Sequence, residues 1–499
     1  MTYRRLLRGS KLFDQGLDFY NAGRLEEALE CFNQSLKKNS SDIDSRLMRA
    51  NTLQKLGRYR EARNDFDKIL KVNRRHAGAL IGKANCFWEE GHPKDSIKCL
   101  EAAIEIDSRQ LDYARLLGER LHQMGKDKQA TAHYKKTGDV LNNQSLYSES
   151  LDFYTKGLAL EPNNSELLKA RSKALASIGD TDDSIKSLEQ VLLREPDDAD
   201  SLRNEGAAFL KKGAHEDASR CYYRAGNSFL DSGDNENAIK CFNEVLKIDP
   251  ENANAWSMKA IALRRQGDVL ESINCSYSAG KNFQSRDQTE EAVRSFIQAA
   301  VAAAGIGRHP DSISCLDAAL ELDRDNPEAL IAKGCSLRES NRDDLALTCF
   351  ISACNRDTPW KSDAWRYQGE IVQSKNNHVH AIGCFERSID LNPINLMAWI
   401  DKGRSSLELG KSKEALGCYK KALKIDGESL LAIRGAVQCM IDLREFKSAL
   451  KQLDKGLELT PRDPELWKLK GDVFKLLNQA SQANDCYDKA LEYGSYGSL

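Results

Sequence analysis

Apolar and small residues recur along this chain at helical spacing, and the pattern itself repeats every 34 residues. The typical copy opens on a small residue, followed three later by a bulky apolar one, twelve later by Ala or Ser, and sixteen later by an aromatic or Leu. The first copy is Gly16, Phe19, Ala28 and Phe32. The marker returns at Ala50, Ala84, Gly118, Gly138, Ser172, Gly206, Gly226, Ala260, Gly280, Ala300, Gly334, Gly369, Gly403, Val437 and Gly471, which makes sixteen registers. Residues three and four apart share one helical face, so every register predicts two amphipathic helices. One such pair cannot bury both of its apolar faces, and stacking on the next pair does.

With the marker at position 8 of 34, position 4 holds Leu12, Leu80, Trp256, Trp365, Trp399 and Trp467. Positions 20, 24 and 27 carry Ala415, Tyr419 and Ala422, or Ala381, Phe385 and Ser388. Small residues at 8 and 20 let two helix axes approach, and the aromatic at 24 fills the space beside them. Position 32 carries Pro162, Pro196, Pro250, Pro393 and Pro461, and a proline there stops the second helix because it lacks an N–H and clashes with a continuing turn.

The period and these residues resemble the tetratricopeptide repeat family from about residue 9 to 497. The resemblance implies an all-α fold, an α-solenoid of stacked helix-turn-helix repeats forming a right-handed superhelix. It also implies a groove lined by the first helices, with positions 2, 5, 6, 9, 12 and 13 facing a bound peptide.

Four steps are only 20 residues long: Gly118 to Gly138, Gly206 to Gly226, Ala260 to Gly280, and Gly280 to Ala300. A shift of 20 lays position 24 on position 4 of the next repeat, so one helix satisfies both signatures. Ala130, Tyr134, Gly138 and Leu141 do this first, and Ala218, Tyr222, Gly226 and Phe229 second. Ser272, Ser276, Gly280 and Phe283 form the third junction, and Ala292, Phe296 and Ala300 the fourth. Each junction omits one helix, which predicts 28 helices and a groove interrupted where the alternation reverses. The expected blocks are 9–126, 131–212, a compressed one at 219–290, and 293–497, with a Gly- and Ser-rich tail from Gly494.

Composition adds bounds. A formal charge of −2 over 499 residues supplies no global field for nucleic acid or anionic membrane. The basic start, MTYRRLLRGS, runs into a polar amphipathic helix without a signal core, and no stretch approaches the length of a membrane span. A soluble cytoplasmic protein is the expectation. Of fourteen cysteines, Cys31, Cys99, Cys221, Cys241, Cys275, Cys315, Cys349, Cys384, Cys418 and Cys486 fall at position 23, while Cys86 and Cys439 share position 10. Only Cys335 and Cys354 lie elsewhere. Equivalent positions stand roughly 10 Å apart in stacked layers, beyond the reach of about 7 Å for a disulfide. These are expected to be packing thiols in a reducing compartment.

Candidate chemistry is sparse. His378, His380 and Cys384 could begin a zinc site, but no fourth ligand is in view and Cys384 is a register cysteine. Gly410, Lys411 and Ser412 imitate the end of a phosphate-binding loop, yet Ser405 stands where its first Gly belongs. His215 and Glu216 lack the second His of a zinc protease helix, and no GxSxG occurs. No segment outside the repeats is long enough for a catalytic domain, so neither enzyme, cofactor, metal nor small-molecule substrate is expected.

The expected function is a non-enzymatic scaffold that binds protein or peptide segments in its groove. One family subset grips a C-terminal carboxylate, and Lys169, Lys173, Asn204, Arg220 and Arg224 match four of its five positions, with Lys173 where that subset has Asn. The alternative that such a site implies is a co-chaperone, whose chemistry would be ion-paired hydrogen bonds to the carboxylate, although Arg220 and Arg224 lie on a junction helix. Asn51 and Asn85 occupy position 9 in adjacent repeats, where the family often holds peptide backbone, and they are equally consensus residues. Arg366, Arg404, Arg434 and Lys468 place one cation per repeat beside Tyr367, a track for an acidic segment, while Asp363, Glu370, Asp401 and Asp472 between them would compensate it. The same groove would serve a regulatory arm of a separate catalytic subunit. An RNA-binding repeat protein would want a strongly basic groove.

Overall fold

The computed structural model describes residues 2–106, 111–355 and 358–495. Among the described residues every regular element is a helix, α1 to α28 in chain order, the number that sixteen registers with four shared helices require. The Gly- and Ser-rich tail beyond 495 lies outside the described residues. The chain forms two compact units, Met1–Ser232 with α1 to α13 and Gly233–Leu499 with α14 to α28.

The turns fix the register. Ten glycines and six other residues adopt positive φ among the described residues, and each stands seven residues after a marker, from Gly23 (φ 74°) to Asn478 (φ 58°). This left-handed residue ends the first helix and admits Gly most readily. The second helix ends differently: the next first helix is often capped by Asn or Asp, as Asn164, Asp198, Asn252, Asn326 and Asn395 accept the N–H three residues on. Where proline occupies position 32 and tryptophan the following position 4, the indole donates to the proline carbonyl: Trp256 to Pro250 at 2.8 Å, Trp399 to Pro393 at 2.9 Å and Trp467 to Pro461 at 2.8 Å. That bond ties the turn between repeats to the helix that follows.

The four shared helices are α8 (Asp127–Asn143), α13 (His215–Asp231), α16 (Val269–Ser285) and α17 (Thr289–Gly305), each of 17 residues. Ordinary repeat helices such as α10 (Ser165–Ile178) and α12 (Ala199–Lys212) have 14. Extra length is what two superposed signatures require. The core follows the marker arithmetic, with Phe32, Phe66, Phe296, Phe350 and Phe385 at position 24 wholly buried. Within the first unit, α1 (Thr2–Asn21), α3 (Ile43–Lys55) and α5 (Ala77–Glu89) pack in one row of first helices, and α8, α10 and α12 in another. The row passes from odd to even helices because one helix serves twice. In the second unit α21 (Lys361–Ser374), α23 (Leu396–Glu408), α25 (Leu430–Asp442) and α27 (Pro464–Leu476) form a continuous row. First helices approach one another more closely than second helices do, and they form the inner row of each stack.

Candidate functional site

Most groove candidates sit on these inner rows, and Arg220 and Arg224 sit on the shared helix α13. On α10 and α12, the Lys169 ammonium binds the Asp198 carboxylate at 2.7 Å, and Asp198 also accepts the Ser201 N–H as the cap of α12. Burial alone would raise the Asp198 pKa, but Lys169 and Ser201 together outweigh it and hold the carboxyl below its ordinary range. Arg224 on α13 donates to the Pro196 carbonyl at 2.7 Å, and Arg220 pairs with Asp217 at 2.5 Å. Lys169 and Arg224 therefore meet one turn, residues 196–198, from its two sides. Arg220 faces its own helix. Lys173 is exposed and Asn204 half-buried, and neither side chain makes a hydrogen bond to the described residues.

Asn85 is not open to a peptide on every side. Its Oδ1 accepts from Arg120 Nη2 at 2.6 Å, while Arg120 Nη1 reaches the Ser96 hydroxyl at 2.6 Å and the Ala84 carbonyl at 3.2 Å. Arg120 is 6% exposed, with its guanidinium carbon 5.0 Å from the Trp88 ring centre. Burial lowers its pKa, with Glu89 opposing the shift. Asn51, one repeat earlier, is half-buried and makes no side-chain hydrogen bond to the described residues.

In the second unit the basic track is a network. Arg366 pairs with Glu370, which also pairs with Arg338, and Arg366 stands 3.8 Å from Asp401. Arg404 donates to Asp401 at 2.9 Å and to the Gln373 carbonyl oxygen at 2.6 Å. Burial first, then the neighbouring Glu370, push the Asp401 carboxyl up to about 6 against the pull of Arg404 and Arg366. Tyr367 lies flat on Phe350, 5.1 Å between ring centres, under the Arg366 guanidinium at 4.2 Å. A cavity of about 510 Å³ opens beside this cluster, lined among others by Arg338, Glu370, Gln373, His378 and Arg404. Further along, Arg434 binds Asp463 at 2.5 Å and pairs with Glu465. Asp363 accepts from Asn395 and Asp472 from Tyr487. Lys468 is exposed and has no partner among the described side chains.

Sequence reasoning missed several polar residues here. Arg120 stands at position 10, where other registers place Cys86, Ala174 or Cys439, so a large cation at a small site was the available signal. Gln373 donates to the Ser405 hydroxyl at 2.7 Å and accepts from Arg404, bridging two repeats. A lysine at position 7 also reaches an acid sixteen residues earlier, as in Lys83–Asp67 at 2.6 Å, Lys402–Glu386 at 3.0 Å and Lys470–Asp454 at 2.7 Å. Among the described residues, no three His, Cys, Asp or Glu side chains converge as metal ligands would.

Tetratricopeptide repeat models match residues 47–110 and 169–219, and 381–473, and a model described as TPR repeat matches 226–267. DnaJ homolog subfamily C member 3 of Mus musculus is 23% identical over 351 residues, covering 60% of this chain and 68% of that protein. Mitochondrial import receptor subunit TOM70 of Homo sapiens is 22% identical over 468 residues, 76% of this chain and 75% of its own. Among solved structures, the APC/C hetero-tetramer Cut9-Hcn1 aligns at 14% identity with a TM-score of 0.37, covering 99% of this chain and 95% of that one. Yeast Tom70 aligns at 16% identity and a TM-score of 0.35, covering 95% and 96%.

Proposed function

We infer, from a chain that belongs to the tetratricopeptide repeat family, that it is a non-catalytic scaffold holding partner polypeptide segments along its first helices. The observation that carries this reading is the division of labour on each helix. The marker faces are consumed by packing, whereas the inner rows keep solvent-facing groups such as Lys173, Arg404 and Lys468. Rows that change from odd to even helices offer separate docking stretches rather than one continuous track. The names of the relatives, a DnaJ homolog and an import receptor subunit, are compatible with handling other polypeptides. The fourteen free cysteines support a reducing compartment, and we place the chain in the cytoplasm. No helix among the described residues is long and apolar enough to cross a membrane.

A second reading is favoured by Lys173 and Asn204, which stand unengaged on adjacent first helices. There a C-terminal carboxylate would be gripped, with Lys169, Arg220 and Arg224 released from Asp198, Asp217 and the Pro196 carbonyl as it enters. Hydrogen exchange of the full chain with and without a partner captured from its native cell tests the scaffold reading. Protection concentrated on first helices supports it, and protection confined to second helices overturns it.

A further inference from the structure

In the second register charged residues stand at two positions that other registers use for packing. Arg46 stands at position 4, where other repeats have apolar or small residues, and Asp65 at position 23, where ten registers have cysteine, with Arg49 at position 7, which is lysine in several repeats. None belongs to the groove positions, and the cluster lies between α2 (Leu25–Lys38), α3 and α4 (Tyr59–Val72).

Arg49 takes up the whole of the Asp65 carboxylate, Nε to Oδ2 and Nη2 to Oδ1, both at 2.6 Å. Arg46 and Lys68 are thereby left 3.7 and 3.9 Å from the same carboxylate, too far for hydrogen bonds. Arg46 turns one nitrogen to the Ser40 carbonyl. Lys37 is exposed with no partner among the described side chains. Asn33 uses its oxygen for Arg49, and its amide N–H groups have no partner among the described residues. These donors border a cavity of about 550 Å³, whose wall contains Asn33, Lys37, Arg46, Arg49 and Lys68, with Glu30 as its acidic member. Four cations against Asp65 and Glu30 leave the pocket with two positive charges in excess.

The surrounding sequence has the same sign. Residues 1–76 contain seventeen Lys and Arg against ten Asp and Glu, whereas the remainder contains fifty-six against sixty-five. The near-neutral total conceals a basic first segment on an acidic remainder.

We propose that this pocket between α2, α3 and α4 binds a phosphoryl group carried on a partner polypeptide, at a surface separate from the groove. A phosphoryl group bears about −1.5 to −2 charge near pH 7 and three acceptor oxygens, which matches the excess charge and the convergent donors Lys37, Arg46, Lys68 and Asn33. One carboxylate would neutralise only half of that excess. An extended nucleic-acid backbone is disfavoured because Glu30 in this cavity and Glu61 in the smaller cavity on the other side of Arg49 would face its neighbouring phosphates.

The test uses the full chain and a labelled pentapeptide, Gly-Ser-phosphoserine-Gly-Ser, beside its unphosphorylated twin. At low ionic strength the phosphorylated peptide should bind at least tenfold more tightly, and inorganic phosphate should displace it. The double variant Lys37→Gln/Lys68→Gln leaves the Arg49–Asp65 pair intact and should lose at least tenfold in that affinity with an unchanged Tm. Lys173→Ala, on the groove side, should bind the phosphopeptide as the parent does. Equal binding of the two peptides overturns the proposal, as does phosphopeptide binding that survives the double variant. Binding of phosphoinositide vesicles or single-stranded RNA without any binding of the phosphopeptide overturns it too.

Discussion

Gly280 and Phe296 stand sixteen residues apart on α16 and α17, and the ring lies where a side chain on the glycine would go. A Cβ on Gly280 would sit 2.6 Å from Phe296 Cε1. The same spacing joins Gly16 to Phe32, Gly334 to Phe350 and Gly369 to Phe385, so one close approach is reused along both units. Gly280→Ala should therefore overpack a wholly buried ring and cost about 1–3 kcal/mol. Gly383 and Gly417 are helical too but meet nothing within 4 Å, so alanine at either should stabilise by about 0.5–1 kcal/mol through helix propensity. Urea unfolding of the three variants checks the contrast, and a neutral Gly280→Ala would show that the marker is not a packing constraint.

Turn chemistry gives a second prediction. Arg444 holds φ 60° at the position where Gly23, Gly57 and Gly410 stand in other repeats. A left-handed residue with a side chain costs about 1–2 kcal/mol, part of which glycine returns in chain entropy. Arg444→Gly should raise stability by up to about 1 kcal/mol, and Gly410→Ala should lower it, both read from denaturation midpoints.

The apolar register was legible because every repeat solves the same packing problem with the same spacing. Marker spacing alone identified the junction helices that are α8, α13, α16 and α17. Polar contacts were less legible because they join residues at unrelated positions of neighbouring repeats. Lys83 and Asp67 each look like a solvated charge in isolation, and only stacking brings them to 2.6 Å. Likewise the spacing of Arg366, Arg404 and Arg434 was visible, but the partners Gln373 and Asp463 that occupy two of these guanidinium groups were not.

Asp401 gives the repeat 13–14 contact a pH dependence. Its folded pKa, about 6, lies above the ordinary aspartate value of about 3.9, so folding favours its protonated form. That contribution is complete below about pH 4 and is lost as pH rises through about 6. Carboxyl carbon NMR should show a midpoint near 6 for this residue. Asp401→Asn should flatten the dependence of stability on pH between 4 and 7, and an unaltered slope would refute the assignment.

The packing thiols should be inert. Burial, with Glu90 beside Cys86 and Asp442 beside Cys439, pushes both thiols up to about 12. Thiolate is then scarce at pH 8, and both cysteines are fully enclosed. A thiol-disulfide reagent should modify them only after denaturation. Cys418→Ala should cost about 1 kcal/mol and leave partner binding unchanged, whereas fast labelling of Cys86 or Cys439 in the folded chain would show that the repeats open there.

The carboxylate reading turns on competition. Lys169 already holds Asp198 at 2.7 Å and Arg224 holds the Pro196 carbonyl, so an entering carboxylate must first replace bonds that fasten the turn before α12. Lys173 and Asn204 carry no such debt to the fold. If they make the first contact, acidic peptides with a free C-terminus should bind and their amidated forms should lose affinity. A hydrogen bond to a charged group contributes about 1.5–3 kcal/mol, so Lys173→Ala should weaken the free-acid peptide at least tenfold and leave the amidated one unchanged. Lys169→Ala should show a smaller binding loss together with a lower Tm, because Asp198 loses its partner. Equal affinity for free and amidated peptides would remove the carboxylate grip and leave the scaffold reading to the rest of the inner rows.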